Sequence, residues 1–163
     1  MDFMVGAVIT GAGATTVMDL WAMVRRRLFS VPLPNYSMLG RWVAHMVRGT
    51  FRHDAIGAAA GIPGERWLGW MVHYLTGIVF AAGLLALSGA EWLQRPALGP
   101  ALLFGIATVA APFLLMQPGM GMGVAAARTA HPGRARVQSL VTHAVFGAGL
   151  YGTAWLAALT QGH

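Results

Sequence analysis

Four runs of apolar sequence, at about residues 3–24, 67–88, 98–117 and 137–160, are each long enough to cross roughly 30 Å of hydrocarbon at about 1.5 Å per residue. In lipid a backbone must pair its own N–H and C=O groups, and runs of this length without alternation do so as helices. Composition agrees, since 56% of the 163 residues are hydrophobic and 10% are charged, far from a soluble average. The expectation is an all-α, polytopic membrane protein: one domain over residues 1–163, four transmembrane helices, and the lipid bilayer as its principal partner.

The links between the runs carry the charge. All 11 basic residues are Arg. Arg25, Arg26, Arg27, Arg41, Arg48, Arg52 and Arg66 lie in the first link, Arg128, Arg134 and Arg136 in the third, and Arg95 alone in the second. Basic residues favour the cytoplasmic side, so the links 25–66 and 118–136 are expected there and both termini on the opposite, periplasmic side. Trp21, Trp67 and Trp70 then fall near the inner boundary, and Trp92, Tyr151 and Trp155 near the outer one, where amphipathic rings belong. The net charge of +6 is thereby accounted for by topology, and no nucleic-acid partner is expected. The N-terminal stretch MDFMVGAVITGAGATT has no basic leader region, so it is read as a retained span. Cysteine is absent, which removes disulfides, thiolate metal sites and Cys nucleophiles.

Within the first link, NYSMLGRWVAHMVRG predicts a short amphipathic helix near residues 37–48. Asn35 or Ser37 can cap it, Leu39, Trp42, Val43, Met46 and Val47 line one side, and Arg41, His45 and Arg48 take much of the other. It reads either as a helix lying in the cytoplasmic membrane interface or as a lid over a cavity. The third run raises a different problem. From Ala97 to Ala127 there is no charge, and a continuous helix of that length would run to about 46 Å. A break is expected near Gln117-Pro118, with GMGMGVAAA starting a second, re-entrant or interfacial piece whose irregular backbone must be buried or face a wet cavity.

Each run also carries one strongly polar group roughly 10 Å or less from its cytoplasmic end, by the helical rise: Asp19, His73, Gln117 and His143. Ionisable groups in a span are expensive and tend to face one another or water, so a shared interior site is the default. Met18-Asp19 parallels Met116-Gln117, and His73 with Gly77 parallels His143 with Gly147, a hint of a parallel internal repeat.

Several chemistries fit these residues. His73 and His143 could ligate a b-type haem, with Gly77 and Gly147 one turn away clearing space for the macrocycle, or the same glycines could simply let helices pack closely. The pair could bind a transition metal instead, with Asp19 and the thioethers of Met116, Met120 and Met122 as further ligands. Asp19 and the histidines could form a proton or ion relay in a small transporter. Alternatively Asp19, His73, Tyr74, Gln117 and His143 form a hydrogen-bonded network that fixes helix register, in a homo-oligomer or a subunit of a membrane complex. His53, Asp54 and Glu65 offer a surface carboxylate–His set without a recognised ligand spacing, and His45 and His131 read as solvated loop residues. His163 is terminal and expected to be disordered. No phosphate loop, nucleophile elbow or zincin pattern occurs, so no enzyme activity is indicated.

The blocks MDLWAMVRRR, GRWVAHMVRGTFRHDAI, GERWLGWMVHY, FLLMQPGMGMGVAAAR and THAVFGAGLY together resemble a bacterial inner-membrane family known only as a domain of unknown function (DUF2938-like). The resemblance covers nearly the whole chain. It implies a small polytopic protein of the bacterial inner membrane and brings no activity, cofactor or catalytic residue with it.

Overall fold

A computed structural model of the protein describes residues 1–160, so the expectation for His163 lies outside the described residues. Five helices carry the fold: α1 (Phe3–Phe29), α2 (Tyr36–Val47), α3 (Glu65–Ser88), α4 (Leu98–Gly119) and α5 (Pro132–Thr160). Short 3-10 turns occupy Ile56–Ala58, Ala90–Leu93 and Val124–Ala126, and there is no strand among the described residues. α1, α3, α4 and α5 are each long and apolar enough to cross a membrane. The fold is therefore all-α with four span-capable helices plus the amphipathic α2.

The span helices outrun their apolar segments. α1 continues to Phe29 and takes Arg25, Arg26 and Arg27 into its last turns, where cations suit the negative end of the helix dipole. At its start, Asp2 accepts a hydrogen bond from the Val5 N–H at 3.0 Å and so caps it. α3 begins at Glu65, and α5 begins at Pro132, a residue suited to a first helical turn because it lacks the N–H left unpaired there. Hydropathy marks the lipid-facing length of a helix, whereas the hydrogen-bond ladder runs on until a cap stops it.

α4 is interrupted twice. Regular α-helix covers Leu98–Ala107, and Pro112–Met116 is wound as π-helix, with the Gln117 N–H reaching back to the Pro112 carbonyl. Pro112 has no N–H to give the preceding turn, which is the kind of defect that loosens a ladder. The helix then ends at Gly119, two residues beyond Gln117, and turns through Gly121 at φ +91°. That second interruption matches the break expected from sequence, and the π segment before it is an addition.

The chain divides into two compact units, to both of which α3, α4 and α5 contribute. Among the described residues, the first comprises 1–33, 74–108 and 141–160. Its core holds Ala7, Ala14, Ala81, Leu84, Leu85, Ala101, Phe146 and Leu150. Small residues set its crossings. A Cβ added at Gly105 would sit 2.5 Å from the Gly147 Cα, one at Gly149 would sit 2.9 Å from the Ala14 Cα, and Gly11 lies against the backbone of Gly77 and Ile78. Such contacts are how helices associate where lipid removes the hydrophobic drive between them. Val5, Val8, Leu20, Val79, Leu103 and Leu156 are exposed, as lipid-facing side chains would be.

The second unit comprises residues 34–73 and 109–140. α2, capped by Asn35 through the Ser37 N–H, crosses the start of α3 at Gly40 and Gly69. A Cβ at Gly40 would run into the Glu65 carbonyl oxygen, and one at Gly69 into that of Tyr36. The loop after α2 covers the end of α4: the N–H groups of His53 and Ile56 donate to the carbonyls of Gly119 and Met120 at 2.9 and 3.1 Å. The carbonyls freed where α4 stops are thus paired within the protein.

Candidate functional site

In the first unit a carboxylate is held inside the apolar run of α1. The Tyr74 hydroxyl, on α3, donates to Asp19 Oδ2 at 3.2 Å, and the Thr16 hydroxyl, nearly one turn before Asp19, stands 3.3 Å from the Tyr74 oxygen. The three groups form a short polar line across the α1–α3 contact, with the close Gly11–Gly77 approach two turns from Asp19 bringing the helices near enough for Tyr74 to reach.

His143 is in the same unit. The Thr108 hydroxyl gives its proton to the Gly105 carbonyl at 2.5 Å and lies 2.8 Å from His143 Nδ1. A hydroxyl has one hydrogen, so Nδ1 must be the donor of that second bond, and in the neutral ring Nε2 carries the lone pair. Gly147 packs against α4, where an added Cβ would sit 2.7 Å from the Ala101 carbonyl oxygen, and Gly77 packs against the Thr15 hydroxyl. The faces beside both glycines are therefore taken up by neighbouring helices.

The second unit holds His73, Gln117, Met116 and Met120. His73 Nε2 pairs with the Tyr36 hydroxyl at 2.9 Å, and the two rings stack with centroids 4.3 Å apart beside Trp70. Gln117 is 6% exposed, and its Oε1 has no hydrogen-bond partner. Met120 is buried at 5% exposure, Met116 half-buried. The residues singled out from sequence thus belong to different units: Asp19, Tyr74, Gly77, His143 and Gly147 to the first, His73, Gln117, Met116 and Met120 to the second. Among the described residues, no three His, Cys, Asp or Glu side chains converge as a metal-ligand group.

Two groupings in the second unit went unforeseen. Arg41 makes a two-pronged ion pair with Glu65 at 2.9 and 2.8 Å, while its third nitrogen donates to the carbonyls of Ile56 and Ala59. Glu65 opens α3 ahead of its apolar run; the Arg41 hydrogen bonds, helped by the Ile62 N–H, hold its carboxyl down at about 2. The sequence places Arg41 on the polar side of an amphipathic helix, and in the structure it ties α2 to α3 and to the intervening loop. His45 and His53 also meet, Nδ1 to Nε2, at 2.8 Å. Their spacing of eight residues spans the end of α2 and a turn, so no helical or strand period could have announced the contact.

The family model described as a protein of unknown function (DUF2938) matches residues 8–157, nearly the whole chain. The protein belongs to the DUF2938 family. Residues 8–157 take in the polar groups of this section, from Thr16 to His143, so the Asp19–Tyr74 line and the His45–His53 pair both lie within the DUF2938 match. No curated protein and no solved structure matches the chain significantly.

Proposed function

We propose that this DUF2938 protein is a proton-coupled membrane protein in which Asp19 is the group that gains and loses the proton. The supporting observation is the Asp19 carboxylate, set within the apolar run of α1 and held by the Tyr74 hydroxyl at 3.2 Å with Thr16 beyond. An ionisable group in a span costs a few kcal/mol on insertion scales, so it is retained where it handles charge. A tyrosine hydroxyl can donate to the carboxylate and accept from the carboxylic acid, which lets one geometry serve both forms. In this reading the four helices act as one functional domain of the bacterial inner membrane. The Arg-rich links 25–66 and 118–136 face the cytoplasm and the termini the periplasm, supported by the distribution of arginine between links.

The test is proton flux into proteoliposomes containing the purified protein, followed with an entrapped pH-sensitive dye under an imposed pH gradient. Flux above that of protein-free vesicles, abolished by Asp19→Asn, is expected. Flux that Asp19→Asn leaves unchanged removes Asp19 from this role.

A second reading, haem b or a transition metal bound through His143, is favoured by one feature: the lone pair left on His143 Nε2 by its bond to Thr108. Oxidised and dithionite-reduced absorption spectra of protein expressed with haem and metal supplied test it. A Soret band lost in His143→Ala supports it, and a blank spectrum with no stoichiometric metal ends it.

A further inference from the structure

The His45–His53 contact has a fixed proton arrangement. His45 Nε2 lies 3.1 Å from the Ala60 carbonyl, which can only accept, so Nε2 carries the hydrogen. In the neutral ring His45 Nδ1 is then bare, and the 2.8 Å contact requires a proton on His53 Nε2. With both rings neutral, the lone pair of the pair emerges on His53 Nδ1, an atom that is buried and has no hydrogen-bond partner. This is the arrangement found in metal-binding histidines, which donate their second ring N–H to a partner that fixes tautomer and orientation.

What lies beside His53 is the Met-Gly run at the end of α4. The His53 N–H binds the Gly119 carbonyl, the Ile56 N–H binds the Met120 carbonyl, and Gly121 lies so close to Asp54 and His53 that a Cβ there would strike their carbonyls. Met120, between those two glycines, is 5% exposed and belongs to the segment bonded to His53. An independent observation comes from the same turn: Gln117, at 6% exposure, has an Oε1 that is also without a partner. Both are buried acceptor atoms without a donor, on segments joined by backbone hydrogen bonds, and a bound cation is one occupant that would satisfy them.

We propose that His53 Nδ1 and the Met120 thioether bind a soft transition-metal ion of the Cu(I) class, with His45 as the positioning residue and Gln117 Oε1 as a weak further donor. Imidazole with thioether is a donor set that selects Cu(I) over the harder divalent ions. The site is separate from the Asp19 reading and from the His73 and His143 pair.

The experiment uses the full chain in detergent under reducing conditions, titrated into the coloured Cu(I)–bicinchoninate complex, whose absorbance falls as protein takes the ion. Uptake of one equivalent per chain is expected, weakened at least tenfold by Met120→Leu and by His53→Asn, weakened about 10- to 100-fold by His45→Phe, and unchanged by His73→Ala. Met120→Leu keeps size and apolarity, so its result stands if the His53 variant fails to fold. Copper K-edge absorption of the loaded protein should show nitrogen and sulfur in the first shell. Absence of uptake, uptake that Met120→Leu leaves unaltered, a sulfur-free first shell, or preference for Zn2+ over Cu(I) overturns the proposal.

Discussion

Replacing Gly69 with Ala should unseat α2 from α3. An added Cβ would meet the Tyr36 carbonyl oxygen, lie 2.6 Å from the Tyr36 carbonyl carbon and 3.1 Å from the Gly40 nitrogen. These neighbours are backbone, so no side chain can rotate away, and the helices must part to restore a carbon contact of about 3.5 Å. Overpacking of this kind typically costs ~1–3 kcal/mol, and unyielding backbone puts Gly69→Ala at the top of that range, on the order of 100-fold in the folding equilibrium. Separation would also stretch the Arg41–Glu65 pair and the Tyr36–His73 bond, both of which bridge α2 and α3. The assay is unfolding in mixed micelles of rising denaturing-detergent fraction, followed by tryptophan fluorescence, with Gly152→Ala as control. A Cβ at Gly152 meets nothing within 4 Å, and alanine is the better helix former by about 1 kcal/mol, so that variant should be neutral or more stable. A Gly69→Ala transition coincident with wild type would show that the α2–α3 crossing has room for the added carbon.

Other consequences follow from the same contacts. The Glu65 carboxyl sits at about 2 against an ordinary 4.5, so the stability it lends through Arg41 is complete above pH 4.5 and is lost as pH falls toward 2. Acid titration of unfolding should show that slope in wild type and a flatter one in Glu65→Gln; equal slopes would count against the pair. In the first unit, Gly105→Leu should disrupt the α4–α5 contact, because the nearest atoms are the Gly147 backbone and the His143 carbonyl, and should lower the unfolding midpoint more than Gly152→Ala raises it. Since the chain has no cysteine, single substitutions report topology cleanly. On intact cells an impermeant maleimide should label Gln94→Cys and leave Thr50→Cys unlabelled until the cells are opened; the reverse pattern would invert the orientation proposed from arginine placement.

The span helices were legible because a run of about 20 apolar residues has one stable solution in lipid. The amphipathic helix was legible as well, from the Asn35 or Ser37 cap and the spacing of Leu39, Trp42, Val43 and Met46; it occupies Tyr36–Val47 against the expected 37–48, with Asn35 as its cap. Pro118 and Gly119 announced the end of α4, whereas the π segment at Pro112–Met116 passed unread, because a proline inside an apolar run alters the winding without altering the hydropathy. Site geometry was far less accessible. Similar distance from the cytoplasmic ends of the runs suggested that Asp19, His73, Gln117 and His143 share a depth, but partnership depends on which way each helix is turned, and the partners found are Tyr74, Tyr36 and Thr108 for Asp19, His73 and His143. Arg41–Glu65 and His45–His53 bridge a loop with no period of its own, and nothing local encodes such pairings.

The proposed proton coupling rests on one carboxyl group, and Asp19→Glu tests it against Asp19→Asn in the same vesicles. Glutamate keeps an ionisable carboxyl one methylene further out, asparagine keeps the shape and removes the proton. Dye-reported proton flux should be near zero with asparagine and a measurable fraction of wild-type flux with glutamate, reduced again when Tyr74→Phe removes the hydroxyl that holds the carboxylate. Equal flux in the asparagine and wild-type vesicles, or no flux in any of them above protein-free vesicles, would contradict that coupling.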